Sequence, residues 1–241
     1  MKQFVCMKWG DRYPADYVNR LYSMIARHTT APFRVVCLTD DPAGVRDEVE
    51  CFDCPTINVK SKQQNGGWRK LSLWAPEVPG LTGTALFLDL DVVIVDSLDP
   101  FFEVDGDYCV MRNWTQSDKR IGNTSVFRFT VGSHPYLLEQ LEADPPAIFA
   151  QYNNSQSFIS DRVSNMTFFP DPWCLLFKVH CLPSMPARLF KAPHLPGGAR
   201  VVAFPGHPDP HEAAAGQWPG PWHKRLYKTV RPTPWIKEHW R

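Results

Sequence analysis

Residues Leu86–Phe102 read LFLDLDVVIVDSLDPFF. Ala85–Val95 has the strongest strand pattern in the sequence, yet Asp89 and Asp91 interrupt its apolar run. An ionised carboxylate in a dry interior is costly unless something pairs it. Residues two apart on a strand point the same way, so at the strand's end both carboxylates can meet one cation. Ligands of open α/β sheets gather outside the carboxyl ends of the strands. Hard divalent ions such as Mg²⁺ and Mn²⁺ favour oxygen ligands and bridge carboxylates to phosphates. Asp89 and Asp91 are therefore candidate metal ligands. The alternative is that the pair caps the strand and accepts hydrogen bonds from backbone amides in a turn.

Outward from that stretch, the elements alternate. Phe4–Met7 reads as a strand that exits into the polar loop Lys8–Tyr13. Apolar residues at Tyr17, Val18, Leu21, Tyr22 and Ile25 predict a helix over Pro14–His28. Phe33–Leu38 predicts a second strand, completing a βαβ unit, and Val49–Val59 contains a third. Ser61–Gly67 reads as a turn, Trp68–Trp74 as the start of a helix, and Pro76–Gly83 as its break. Beyond, Tyr108–Arg112, Ser125–Phe129 and Val201–Phe204 read as strands, with helices over Pro135–Ala143 and Gln156–Val163. The expectation is one α/β domain over residues 1–241. Its nucleotide-binding half runs to about Val104, and a mixed acceptor and metal-loop half follows over 105–241.

Composition narrows the class. The 241 residues are 44% apolar and 21% charged, which suits a globular chain. Lys and Arg number 26 against 25 Asp and Glu, a balance that argues against a bulk nucleic-acid binder. The 23 prolines concentrate after Pro145 and imply irregular connections there. No apolar run is long enough to span a bilayer, and the N-terminus lacks the apolar core of a signal peptide. The seven cysteines include one C-x-x-C, Cys51 and Cys54, with no second pair to complete a zinc site. Reduced thiols in a cytoplasmic protein, peripheral at the inner face of the membrane, are the expectation.

Several segments, in order, carry a resemblance: VCMKWGDRYPADYVNRLYSMIARH, VCLTDD, NGGWRKLSLW, LFLDLDVVIVDSLDPFFE, GNTSVFRF, NNSQSFISD, DPWCLLFK and VVAFPGHPDPHEA. Together they resemble the GT-A-fold nucleotide-sugar glycosyltransferases, especially family 8-like bacterial enzymes. The resemblance implies a Rossmann-like α/β fold with a mixed central sheet and flanking helices. It implies transfer of a sugar from a nucleotide diphosphate donor, UDP foremost, to a glycan, lipid or small-molecule acceptor, with retained anomeric configuration. Asp89, Asp91 and His207 would hold Mn²⁺ or Mg²⁺. Lys8, Trp9, Tyr13, Thr39, Asp40, Lys70, Asp89, Leu90, Lys178 and Gly206 would contact the nucleotide and donor, with Trp9 and Tyr13 flanking the base. Asn123, Ser125 and Gln156 would face the donor sugar. The chain departs from the pattern at three positions. Ser155 stands where an Asp is expected, Pro205 follows Phe204 where the family has His, and Asp209 stands where a phosphate-binding Lys belongs. Lys70, Lys178 or Lys224 could compensate.

Two other readings stay open. FLDLDVVIVDS also resembles the first motif of haloacid-dehalogenase-type phosphatases, with Asp89 as nucleophile. That motif normally opens its fold, whereas about ninety residues precede it here, and Val92 replaces its usual Gly. The departures at Ser155, Pro205 and Asp209 also suit a nucleotide-sugar-binding protein without catalysis. Trp218, Trp222, Trp235 and Trp240 suit an acceptor platform, a partner surface or a packed tail.

Overall fold

A computed structural model describes residues 1–30, 32–221, 223 and 227–241. Strand β1 (Lys2–Lys8) feeds helix α1 (Ala15–Arg27), which returns to β2 (Phe33–Thr39), and β3 (Val49–Asp53) follows. A short helix α2 (Ser61–Gln64) and a 3₁₀ helix (Gly67–Trp74) lead to β4 (Thr84–Leu88) and β5 (Val92–Ile94). Then come β6 (Tyr108–Arg112), β7 (Gly122–Thr130), α3 (Tyr136–Ala143), α4 (Pro145–Gln151) and α5 (Ser155–Arg162). The last third holds β8 (Thr167–Phe168), β9 (Cys174–Leu176), a π turn (Phe177–Cys181), β10 (Val201–Ala203), α6 (Pro210–Ala215) and α7 (Pro234–His239). Among the described residues no helix is long and apolar enough to cross a membrane.

The seven-stranded sheet runs β3-β2-β1-β4-β7-β6-β8 and takes strands from both sides of residue 104. β1 pairs in parallel with β2 and β4, while β7 lies antiparallel to β4 and β6. β1 is buried on both faces, which is why FVCM is apolar without alternation. Phe4 and Cys6 face one core with α1, while Val5 and Met7 face the other with the 3₁₀ helix, α3 and α5. In that second core Phe127 stacks on Phe87 at 4.8 Å, and Trp74 meets Tyr108 edge-on at 5.0 Å. Each such aromatic pair adds about 0.5–1.5 kcal/mol beyond its area.

The expected single strand over Ala85–Val95 is two strands in two sheets. β4 ends at Leu88, and β5 belongs to a three-stranded sheet ordered β5-β10-β9. Asp89, Leu90 and Asp91 form the turn between them. Both faces of the long apolar run are buried, so its hydrophobicity could not reveal where one sheet gives way to the next. Two further differences are local. Residues expected as a turn contain α2, and the proline-rich tail, expected to be irregular, forms α4, α6 and α7, each with Pro in its first turn.

Candidate active site

The turn that carries Asp89 and Asp91 is clamped from both sides. The Asp89 amide donates to the Ser125 carbonyl at 2.9 Å, extending the β4–β7 ladder by one residue. The Asp91 carbonyl accepts from the Phe204 amide at 3.0 Å, just past β10. The two carboxylates thus sit on a backbone fixed by two different sheets. Both line a cavity of about 510 Å³ at the carboxyl ends of β1 and β4.

Lys8, Trp9, Tyr13, Asp40, Lys70, Asp89, Leu90 and Asp91 all line this cavity. Gly10 lets the β1 exit loop turn back, with φ +60 and its amide donating to the Asp40 carboxylate at 3.0 Å. The buried Lys8 ammonium donates to the Asp41 carbonyl at 2.9 Å. The Trp9 indole donates to the Asn65 carbonyl at 3.3 Å, tying the β1 exit to the Asn65–Gly67 wall. Lys70 is buried on the 3₁₀ helix and reaches the Asp89 carboxylate at 2.6 Å and the Thr124 carbonyl at 3.0 Å.

Among the described residues no lysine or arginine pairs with Asp91. It is 8% exposed, and its carboxylate accepts from the Tyr13 hydroxyl at 3.0 Å. Burial and the neighbouring Asp89 charge push its carboxyl up to about 7. Burial and the same Asp91 charge push the Tyr13 phenol well up, so that hydroxyl remains a proton donor. Tyr13 packs on Tyr17 at 4.8 Å and under the Arg12 guanidinium at 4.9 Å. Two hard oxygen donors, one of them buried and short of positive charge, form a donor set that fits Mg²⁺ or Mn²⁺.

The remaining candidates lie outside the cavity lining. Asn123 and Ser125 are buried on β7, the Asn123 side chain accepting from the Ser125 amide at 2.9 Å. Gln156 accepts from the Thr124 amide at 3.3 Å, so these three back the wall at Lys70 and Asp89. Thr39 is buried, its hydroxyl donating to the Asp41 carbonyl at 3.0 Å. Lys178, on the π turn, donates to the carbonyls of Pro205 and His207 and thereby braces the loop at Gly206, where φ is +65. His207 turns to Glu212, with its Nδ1 2.9 Å from the carboxylate and 3.8 Å from Asp209.

Asp209 and Glu212 form a reciprocal capping box at the start of α6. That explains an acid where a phosphate-binding lysine was expected: its oxygen satisfies an α6 amide. Burial and the Glu212 charge raise the Asp209 carboxyl. Ser155 donates to the Gly67 carbonyl at 3.0 Å and so supports the cavity wall. Lys224 and Trp222 lie outside the described residues. Trp240 is buried against Tyr17 at 5.1 Å, and Trp235 and Trp218 pack on the same core.

Sequence reasoning missed Arg12, which lines the cavity and lies 3.9 Å from the Asp209 carboxylate. A cation between Trp9 and Tyr13 in the loop after β1 was the available signal. It missed Glu212 as well, although D-P-H-E over Asp209–Glu212 spells a capping box.

The architecture is that of the GT-A-type α/β fold, a mostly parallel central sheet flanked by helices with a cavity at its carboxyl edge. Among solved structures, the chain is similar to the galactosyltransferase LgtC in complex with donor and acceptor sugar analogs, at TM-score 0.59 and 14% identity over 86% of this chain and 88% of that one. It is also similar to the glycosyltransferase GlyE of Streptococcus pneumoniae TIGR4, at TM-score 0.61 and 14% identity over 87% and 56%. The bifunctional glycosyltransferase WbbM matches at TM-score 0.60 and 13% identity over 98% and 50%. The chain thus spans about half the length of the last two. No family model and no curated protein matches the sequence.

Proposed function

We propose that this protein is a metal-dependent glycosyltransferase that moves a sugar from a nucleotide diphosphate donor, UDP foremost, to an acceptor with retained configuration. The observation that carries the reading is one cavity joining aromatic Trp9 and Tyr13, cationic Lys8, Arg12 and Lys70, and the carboxylates Asp89 and Asp91. That combination suits a base, a diphosphate and a divalent cation in turn.

In this reading Trp9 and Tyr13 flank the base, Lys8 and Asp40 border the ribose side, and Asp89 and Asp91 would hold Mn²⁺ or Mg²⁺, while His207, turned to Glu212, stays outside this set. Bound there, the cation supplies Lewis-acid stabilisation of the departing diphosphate. Lys70, Arg12 and Lys178 add countercharge where the leaving group becomes more negative. Tyr13 holds Asp91 in one orientation and keeps its own proton. Asn123, Ser125 and Gln156 hold the wall behind the donor, fixing the segment that carries the Lys70 and Asp89 contacts.

The phosphatase alternative is disfavoured because Asp89 follows the fourth strand of the sheet rather than the strand that opens it. The binding-protein alternative draws on Asp209, which caps α6 instead of leaving the position to a lysine. One experiment separates the three. Thermal shifts are measured with UDP, UMP, ADP and inorganic phosphate, with and without Mn²⁺, alongside release of UDP from UDP-hexoses. Manganese-dependent stabilisation by UDP with donor turnover supports transfer, and the same stabilisation without turnover supports a binder. Equal response to phosphate and UDP would reject the nucleotide site.

A further inference from the structure

Residues 172–208 carry four of the 26 Lys and Arg and none of the 25 Asp and Glu, leaving the rest of the chain with 22 basic against 25 acidic residues. Within this stretch a loop leaves the π turn at Cys181 and returns at His194, whose amide donates to the Cys181 carbonyl at 3.0 Å. Its base is anchored by Cys181, Leu182 and Pro193, all buried. Its body is braced by the Arg188 side chain on the Pro183 carbonyl at 3.0 Å and by the Lys191 amide on the Ala187 carbonyl at 2.8 Å.

The tip of this braced loop is apolar and faces water. Met185 is 47% exposed, Leu189 41% and Phe190 79%, beside Arg188 and Lys191. They are three of the seven large apolar side chains found exposed among the described residues. A loop tied down at its base and along its body cannot fold these side chains inward, so their exposure calls for an external partner.

We propose that the 181–194 loop docks on an anionic lipid surface, with Leu189, Phe190 and Met185 entering the headgroup boundary and Arg188 and Lys191 meeting acidic headgroups. The charge at the tip argues for this occupant: Arg188 and Lys191 flank the exposed apolar side chains, residues 172–208 hold no acid, and the other two cations of that stretch are spent on Asp96 and on the 205–207 carbonyls, so the loop presents only positive charge, which suits a surface of uniform negative charge. A second copy of this chain would set the same basic patch against itself in a two-fold interface. Three protruding side chains also fall far short of the 20–30 residues a side that a stable protein interface uses. The loop springs from the turn that carries Lys178, which braces the 205–207 segment beside the cavity. Docking therefore sets the cavity near the lipid surface; under the transfer reading above that favours a lipid-borne acceptor, but the docking does not depend on it.

The test is co-sedimentation of the full chain with phosphatidylglycerol–phosphatidylcholine vesicles and with pure phosphatidylcholine vesicles, without nucleotide or metal. The wild type should pellet with the anionic vesicles and be released by 0.5 M NaCl to a level set by its apolar anchor, since salt at that strength screens surface charge. Leu189→Ser combined with Phe190→Ser should cut partitioning by about tenfold or more. Lys191→Glu, which leaves the Arg188 bond to the Pro183 carbonyl in place, should cut it by about fivefold. Both variants should keep the wild-type melting temperature, and the salt series on the wild type stands even if one fails to fold. Failure of the wild type to pellet, equal pelleting with neutral vesicles, undiminished pelleting of both variants, or a wild-type dimer in sedimentation velocity that the serine variant dissolves would each overturn the proposal.

Discussion

Asp91→Asn should stabilise the ligand-free protein while removing its response to nucleotide and metal. Asp91 is nearly fully buried, and burial together with the Asp89 charge lifts its carboxyl from an ordinary 3.8 to about 7. The folded state therefore holds this proton more tightly than the unfolded chain does, and stability falls as pH rises through that interval. At roughly 1.4 kcal/mol per pH unit the full interval amounts to about 4 kcal/mol. Because the shift belongs partly to the pair with Asp89, the expected gain for the Asn variant at pH 8 is about 2–4 kcal/mol. At pH 5, little more than one unit into the interval, the gain shrinks to about 1–2 kcal/mol, and near pH 3.5 it vanishes. Asn keeps a carbonyl oxygen to accept from Tyr13, so shape and hydrogen bond persist. Urea denaturation in EDTA at pH 8 and pH 5 reads the effect as a midpoint shift on the order of 1 M at the higher pH. The same variant should lose the stabilisation that UDP with Mn²⁺ gives the wild type. A ligand-free variant that is less stable at pH 8, with UDP–Mn²⁺ stabilisation intact, would mean that Asp91 caps its turn, and would refute the metal-site reasoning.

Lys70→Met should destabilise by about 1–3 kcal/mol in urea denaturation, since it leaves the part-buried Asp89 carboxylate, now 2.6 Å from the ammonium, without its partner. Trp9→Ala should leave the melting temperature nearly unchanged, because its ring is only partly buried, but weaken UDP binding by about 1–3 kcal/mol in calorimetry. Trp74→Ala should cost about 3–5 kcal/mol, because the side chain is 1% exposed among Tyr108, Phe127 and Phe129, and a cavity there cannot collapse. Its nucleotide affinity per folded molecule should stay close to wild type.

What the sequence determined was local. Helical spacing of Tyr17, Val18, Leu21 and Ile25 fixed α1 to within one residue at each end, because one buried face repeats at that period. FVCM and VVCL announced buried parallel strands, and two acids interrupting an apolar run marked a candidate cation site. The loop after β1 and the turn after β4 follow adjacent parallel strands, so their side chains meet at one edge, and Lys8, Trp9, Tyr13, Asp89, Leu90 and Asp91, which the resemblance implied, line one cavity. Only the tertiary structure decided where β4 stops, because the bond that takes Asp91 into the second sheet comes from Phe204, more than a hundred residues away. No local pattern encodes a partner at that separation. The same holds for Lys70 on Asp89, Tyr13 on Asp91 and Arg12 beside Asp209. A residue type tells which charge it brings, but only the folded chain tells which opposite charge it meets, and that pairing sets whether a buried carboxylate is neutralised by a lysine or left with a raised pKa beside its twin.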